Sequence, residues 1–278
     1  MRHTSPLTLL TAGFMLGSLG GLTACATQDR SASALAASVG VAESAPVWAR
    51  HDLRFSAYAP SGNTLPPELK HLVLPNNAPT QYQLVQQGDH TVLHAKADKS
   101  ASGLRKTVDV DPALLPWLVW SWKTNTLLTQ ADNTRSDKED APVRIVLTFA
   151  GDTSTLPFRE QTLGQLVRLV TGEDMPYATL MYIWENRQPV GSVIESAHSS
   201  RVKMIVAASG PGEVGQWITL SRNIIEDYRR AFGEAPGKLI GIGVMSDTNR
   251  TSAQVEAWYG DIRLSAYGTD RVVAAAGQ

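Results

Sequence analysis

The chain has 278 residues, of which 43% are hydrophobic and 18% are charged, so it can pack a core and is not wholly disordered. The 25 basic and 26 acidic residues give a formal net charge of −1, which provides no strong basic field to attract nucleic acid. A single cysteine excludes an internal disulfide and a cysteine-rich metal site.

The N-terminus has the pattern of a bacterial secretory signal. A short basic start precedes a mostly apolar run over residues 7–22, which is shorter than the roughly 20 apolar residues of a membrane-spanning helix. The run ends in the tetrapeptide LTAC at 22–25, which resembles the lipobox of bacterial lipoproteins. We therefore predict a signal peptide over residues 1–24 and lipid attachment at Cys25, on the periplasmic side of the cell envelope.

The residues that follow the cysteine indicate which membrane holds the protein and where the folded domain begins and ends. Aspartate at this position resembles an inner-membrane retention signal, so Ala26 favours the outer membrane. Residues 25–46 are rich in Ala, Ser and Thr and predict a flexible tether. Because no linker is visible after Val47, we expect one folded domain over residues 47–268, with a C-terminal tail at 269–278.

Short apolar runs separated by Gly, Pro, Asn and Asp predict about ten β-strands. Gly88 and Asp89 lie between the first two runs and predict a hairpin. The predicted strands are 81–86, 91–96, 104–110, 118–123, 143–149, 179–185, 202–207, 217–220, 239–245 and 256–265. This number of short strands favours a mainly β fold, an antiparallel β-sandwich of jelly-roll type.

Two segments have apolar residues at helical spacing and predict short helices in the connections. The first ends at Gly172, and the second begins with Ser221 as its cap and ends at Gly233. The apolar positions are Leu163, Leu166, Val167 and Val170 in the first, and Ile224, Ile225, Tyr228 and Phe232 in the second.

Several segments together resemble an uncharacterised bacterial family, the domain of unknown function numbered 3047. In chain order they are SGL at 102–104, PWLVWSWK at 116–123, DAPVRIVLTF at 140–149, PYATLMYIW at 176–184, NIIEDYRRAFG at 223–233, and 239–251 closing into YGDI at 259–262. The resemblance runs over roughly residues 53–265. It implies a secreted β-sandwich domain and no particular activity, so it carries over no functional residues.

The tryptophans are the first candidates for a ligand-binding face. Trp120 and Trp122 are two residues apart, so they share a face of their strand, and Tyr182 and Trp184 do the same. If a sheet face is open, these rings would form a platform for sugar rings. The alternative is that they fill the core of the sandwich, as tryptophans in such folds often do.

Polar partners for such a platform come from two neighbouring segments. An acidic stretch at 137–140 leads into Arg144, whose guanidinium suits a carboxylate or sugar hydroxyls, and Arg105 is a similar case. The alternative is a solvated loop with one structural ion pair. We therefore take as ligand-binding candidates Trp120, Trp122, Arg144, Trp184, Arg105 and Asp140.

Oxygen-bearing side chains near the C-terminal end of the domain suggest a weak calcium site. Asp247 and Asn249 lie two residues apart where a turn is expected, and Asp261 follows in the next strand. Asx turns explain the same residues without a metal ion. The family pattern favours aspartate where this chain has Asn249, which weakens the site further. No other cofactor is predicted.

The leading functional hypothesis is a non-catalytic binding or structural domain, with carbohydrate or an envelope glycan as the ligand class. One alternative is a polysaccharide hydrolase, in which Asp140 would work with Asp247 or Glu256 across a cleft of about 5 to 9 Å. The other is an envelope assembly factor that binds a protein partner. No nucleophile motif or zinc-binding histidine spacing supports other hydrolytic chemistry.

Overall fold

The computed structural model describes residues 47–73 and 76–268. The predicted signal peptide, the lipidation site at Cys25, the tether and the tail at 269–278 lie outside these residues. Within the described part of the chain, no helix is long and apolar enough to cross a membrane.

The described residues form twelve strands and two α-helices. The strands are β1 (Lys70–Val73), β2 (Gln81–Gln87), β3 (His90–Asp98), β4 (Ala101–Val110), β5 (Trp117–Thr124), β6 (Ala141–Phe149), β7 (Ala178–Glu185), β8 (Val193–Ser196), β9 (Ser199–Ser209), β10 (Ile218–Asn223), β11 (Leu239–Asp247) and β12 (Gln254–Ser265). The helices are α1 (Phe158–Thr171) and α2 (Ile224–Phe232).

The strands form two sheets that pack face to face, which confirms the predicted β-sandwich. The seven-stranded sheet has the order β1-β4-β11-β6-β7-β9-β8, and the five-stranded sheet has the order β10-β5-β12-β3-β2. Neighbouring strands are antiparallel except β7 and β9, which are parallel. Apolar side chains of both inner faces form one large buried cluster, as alternation along the strands requires.

The predicted strands all exist, and the structure adds two that the sequence did not indicate. These are β1 and β8, each four residues long and each at an edge of the seven-stranded sheet. A strand of four residues has too few alternations of apolar and polar residues to be recognised from the sequence. The predicted cap Ser221 is wrong, because β10 continues through it. Asn223 caps α2 instead, and its side chain accepts from the N–H groups of Ile225 and Glu226.

The core is built around facing aromatic side chains. Trp120 and Trp122 project inward from β5 and meet Tyr182 and Trp184 of β7. The ring centroids of Trp120 and Tyr182 are 4.9 Å apart, and those of Trp122 and Trp184 are 6.5 Å apart. These rings pack the two sheets against each other.

The segment that precedes β1 is fixed to both sheets. Leu53 exchanges two backbone hydrogen bonds with Ile262 of β12, at 2.9 and 2.8 Å. The ammonium of Lys106, which projects from β4, donates to the carbonyls of Ala49 and Asp52 at 2.7 Å each. Burial lowers the pKa of Lys106. The N-terminal segment is therefore held by both sheets.

Candidate functional site

The structure corrects the predicted aromatic platform. Trp120, Trp122 and Trp184 are 1%, 0% and 1% exposed, respectively. A ring that stacks on a ligand must be reachable from solvent, so the prediction that these three rings bind a sugar is wrong. They fill the core instead.

Arg144 and Asp140 are also buried, so the structure does not support their predicted contact with a ligand. The guanidinium of Arg144 donates to both carboxylate oxygens of Asp247, at 2.8 and 3.0 Å. Burial raises the pKa of Asp247, and the facing Arg144 opposes that rise. Asp140 accepts from the N–H groups of Arg250 and Thr251 and from the Thr251 hydroxyl. Both residues hold loops against the seven-stranded sheet.

Arg105 is partly exposed but lies away from the other candidates. It projects from the outer face of the seven-stranded sheet and donates to Glu173 at 3.1 Å. The six predicted ligand-binding residues therefore do not form one site.

The three candidate calcium ligands each have a different protein partner. Asp247 pairs with Arg144, as described. The Asn249 amide donates to Asn77 at 2.8 Å, and Asp261 accepts from the backbone N–H and the hydroxyl of Ser56. In residues 47–73 and 76–268, no group of three or more His, Cys, Asp or Glu side chains is placed to hold a metal ion. The predicted calcium site is therefore not assembled in this part of the chain.

The carboxylates of the hydrolase alternative do not line an open cleft, although the backbone N–H of Ala141, next to Asp140, donates to Asp247. Asp140 and Asp247 are buried beside the seven-stranded sheet. Glu256 lies on β12 of the other sheet and accepts a hydrogen bond from His94 at 2.8 Å. None of these pairs faces a common cleft, which that reaction needs.

The outer face of the five-stranded sheet carries a different set of aromatic and charged side chains. Trp258 of β12 is in register with Lys123 of β5 on one side and His94 of β3 on the other. The His94 and Trp258 rings stack at 4.8 Å and 6°. The Lys123 ammonium lies 4.4 Å from the Trp258 ring centroid and 5.7 Å from that of Trp217, which immediately precedes β10. Together they form a row across the sheet.

The residues of this row are partly buried against one another. Burial lowers the pKa of His94, and the hydrogen bond to Glu256 opposes the change only in part. Burial also lowers the pKa of Lys123. A lysine ammonium near the faces of two indoles is attracted by their ring quadrupoles. Trp258 is therefore held between a histidine ring and a lysine.

The outer face is concave. The indole N–H of Trp217 donates to the Gln87 side-chain oxygen at 3.2 Å. Trp217 belongs to the β10 edge and Gln87 to β2 at the opposite edge. Four strand spacings of about 4.8 Å separate the edges of a flat sheet by about 19 Å, which is more than these two side chains span. The sheet must curve toward this contact.

A hollow of about 380 Å³ lies in the concave face beside Trp217. Its floor includes Ser121 and Gly260, where a β-bulge interrupts the pairing of β12 with β5. A side chain at Gly260 would collide with the Ser121 hydroxyl, so glycine keeps the hollow open. The other polar residues that line it are Ser56, Gln87, His90, Thr91, Thr219, Asp261 and Arg263.

Sequence reasoning missed Trp217 and Trp258, although one signal was present. In β12, Glu256 and Trp258 alternate with Ala257 and Tyr259, so the charged residue and the tryptophan share a face. That pattern places Trp258 on the outer face. The contact of Trp217 with the opposite edge depends on the curvature of the sheet, which local spacing does not encode.

The comparisons with known proteins bear on the family. A sequence model of the family described as "Protein of unknown function (DUF3047)" matches residues 68–263. The chain belongs to this family. The resemblance seen in the sequence is thereby confirmed over most of the β-sandwich. No curated protein matches the chain.

Several solved structures are similar to this chain. The family 11 carbohydrate-binding module of the cellulase Lic26A-Cel5E of Clostridium thermocellum is 8% identical, with 76% of this chain and 94% of that chain covered and a TM-score of 0.38. The family 30 carbohydrate-binding module of the cellulase Cel9D-Cel44B of the same organism is 10% identical. The match covers 77% of this chain and 96% of that chain, with a TM-score of 0.36.

A third similar structure is the xyloglucanase domain of NopAA, a type three effector from Sinorhizobium fredii, in complex with cellobiose. It is 8% identical, with 71% of this chain and 91% of that chain covered and a TM-score of 0.38. Likenesses this weak carry no argument about what the present chain binds.

Proposed function

We propose that the concave face of the five-stranded sheet binds a carbohydrate without cleaving it. One observation carries the proposal. The indole of Trp217 is partly exposed over a hollow of about 380 Å³ whose remaining walls bear amide, hydroxyl and charged side chains. A hollow of this volume is within the range of ligand sites in proteins, about 300 to 1,000 Å³.

The chemistry of this lining suits a sugar ring. A sugar has an apolar C–H face and a rim of hydroxyl groups that both donate and accept. The Trp217 indole offers an apolar surface for the first. For the second, Thr219 and Ser121 donate and accept, while Arg263 donates and Asp261 accepts.

Trp258 has a supporting role in this proposal. Because β12 lies between β3 and β5, His94 and Lys123 contact opposite faces of its indole. It therefore is not the ring against which a sugar stacks. Instead it fixes Lys123 beside Trp217, where the ammonium is a hydrogen-bond donor for a sugar hydroxyl or an acidic sugar substituent.

We also propose that the domain acts in the cell envelope, held by lipid on Cys25 at the outer membrane. The sequence at 22–26 supports this proposal, and the tether predicted over 25–46 would separate the domain from the membrane surface. Growth in labelled palmitate, followed by membrane fractionation of the wild type and of Cys25→Ala, tests it. Label on the variant would contradict it.

Tryptophan fluorescence tests the binding proposal. The domain from Val47 onward is titrated with soluble oligosaccharides of glucose and of N-acetylglucosamine and with peptidoglycan fragments. We expect a saturable change with one of them, weakened at least about tenfold in Trp217→Ala. The control variant is Tyr267→Ala, an aromatic residue that is 81% exposed and does not line the hollow. Equal binding by both variants, or no binding by the wild type, would refute the proposal.

A further inference from the structure

A larger trench lies on the opposite side of the sandwich, on the outer face of the seven-stranded sheet. Its volume is about 800 Å³. Val146 of β6, Met181 of β7 and Met245 of β11 line its floor, together with the glycine positions Gly103 and Gly243. Because glycines carry no side chain, they deepen the floor between the larger residues. The trench shares no residue with the proposed carbohydrate site.

Helix α1 and strand β1 form the sides of the trench. Val167 and Val170 line it from α1, and Leu72 lines it from β1. Glu173, just after α1, is ion-paired with both Lys70 of β1 and Arg105 of β4. These ion pairs connect the two sides at one end of the trench, so that end is polar while the floor is apolar.

Both ends of α1 are fixed, so the trench does not depend on a loose helix. At the N-terminal end, Glu160 accepts hydrogen bonds from the hydroxyls of Ser199 and Ser200 and from the Ser200 backbone N–H. Burial alone would raise the pKa of Glu160, but these hydrogen bonds outweigh it and the pKa is lowered. At the C-terminal end, Glu173 makes the ion pairs described above.

The lining indicates an elongated, flexible apolar ligand. Three of the six methionines in the chain, Met175, Met181 and Met245, line the trench. Methionine side chains are flexible and polarisable and adapt to irregular apolar ligands. Met175 belongs to the turn after α1, and the other two come from the sheet, so methionines contact the trench from two directions.

The charge at the polar end indicates the head group. Lys70 and Arg105 share one carboxylate, Glu173. Asp174, which also lines the trench, is paired with Arg168. Three cations and two carboxylates leave this cluster with one positive charge in excess. A single acidic group on the ligand would balance that charge. An acyl chain with one acidic head therefore fits both the apolar floor and the cationic end.

We infer that this trench binds one molecule of a long-chain fatty acid. The acyl chain lies along Val146, Met181 and Met245, and the carboxylate contacts Lys70 and Arg105. The inference is independent of the carbohydrate proposal, because the two sites lie on different sheets. A second ligand of this kind would make the domain a receptor for both a polar and an apolar envelope component.

The test is a titration with the fluorescent fatty acid cis-parinaric acid, excited directly. The wild type is expected to bind it saturably and to release it to unlabelled saturated fatty acids. Each added methylene should strengthen competition by up to about fourfold until the chain outgrows the trench. The methyl ester should compete about tenfold more weakly than the acid of equal length.

Two variants locate the site. Val146→Trp fills the floor and is expected to weaken binding at least about tenfold, whereas Leu114→Trp, at a position 72% exposed and outside the trench, leaves it unchanged. Lys70→Ala should weaken binding of the acid about threefold or more and leave the methyl ester unaffected. The matched control is Lys238→Ala, since Lys238 is an equally exposed lysine paired with Asp109.

The outcomes separate the inference from its competitors. Absence of saturable binding by the folded wild type would overturn it. So would equal binding by Val146→Trp when its thermal unfolding matches the wild type. If the protein binds anionic vesicles through the exposed Phe158 and Leu169 of α1 but not the monomeric fatty acid, the trench is not an acyl site and the inference also fails.

Discussion

Two pairs of tryptophans on the five-stranded sheet have opposite roles. Trp120 and Trp122 face inward and are buried, whereas Trp217 and Trp258 lie on the outer face and are partly exposed. The indole N–H of Trp217 donates to Gln87, while the buried Trp120 and Trp122 have no hydrogen-bond partner for theirs in the described structure. The difference teaches that strand parity, and not aromatic content, separates the core rings from the rings of the outer face.

Burial of the two inner indoles is favourable despite their unpartnered N–H groups. An indole buries about 200 Å², which at about 25 cal/mol per Å² contributes about 5 kcal/mol. An unsatisfied buried donor costs about 1 to 3 kcal/mol. The packing of the ring therefore outweighs the loss of the hydrogen bond.

The largest effect expected from this comparison is that of Trp122→Ala. Removal of a fully buried indole leaves a cavity between the sheets, so we expect the free energy of unfolding to fall by about 3 to 5 kcal/mol. Urea denaturation followed by circular dichroism measures it. A loss below about 1 kcal/mol would mean that Trp122 is not a core residue.

A pair of conservative variants tests the role of the indole N–H. Trp184 donates its N–H to the Gly210 carbonyl at 3.1 Å, whereas the N–H of Trp122 has no partner. Trp184→Phe should therefore destabilise the fold by about 1 kcal/mol more than Trp122→Phe. Equal losses in denaturation experiments would show that ring volume alone determines the cost.

On the outer face, Trp258→Ala should leave the stability nearly intact. The ring is partly exposed and contacts His94 and Lys123, so we expect a loss of about 1 kcal/mol. Oligosaccharide binding should fall as well, because Lys123 loses its support. Stability loss as large as that of Trp122→Ala would remove the distinction between the two pairs.

The smallest expected effect is the titration of His94. Its folded-state pKa is lowered, so below its unfolded pKa of about 6.5 the unfolded chain binds the proton more readily. Stability should therefore decrease as the pH falls from about 7 through that value. We expect His94→Gln to show a flatter profile between pH 5 and 7 in the same denaturation assay. Identical profiles of stability against pH for the wild type and His94→Gln would contradict the lowered pKa of His94.

Much of the fold follows from the sequence, because alternation along a strand and glycine after a helix are local signals. The ends of α1 and α2 at Gly172 and Gly233 are examples, and both glycines have left-handed backbone conformations. The cap at Asn223 was missed because β10 runs directly into α2, so no turn separates the two elements.

The candidate site was predictable only in part. The pairing of Trp120 with Trp122 on one face is local, but whether that face is the core depends on the partner sheet. The burial of Arg144 was equally unpredictable from local sequence. Its position on the outer side of β6 follows from alternation, yet its burial depends on Asp247 and Asn133, which come from distant parts of the chain.

The attachment of the N-terminal segment has a mechanical consequence. Tension applied to the chain before Val47 reaches the five-stranded sheet through Leu53 and its bonds to Ile262, on the central strand of that sheet. Lys106 resists the same pull from the other sheet by its bonds to two carbonyls of the segment. Both sheets therefore bear the tension where the chain enters the domain. The segment pulls on a central strand, so an edge strand is not the first to separate from its sheet.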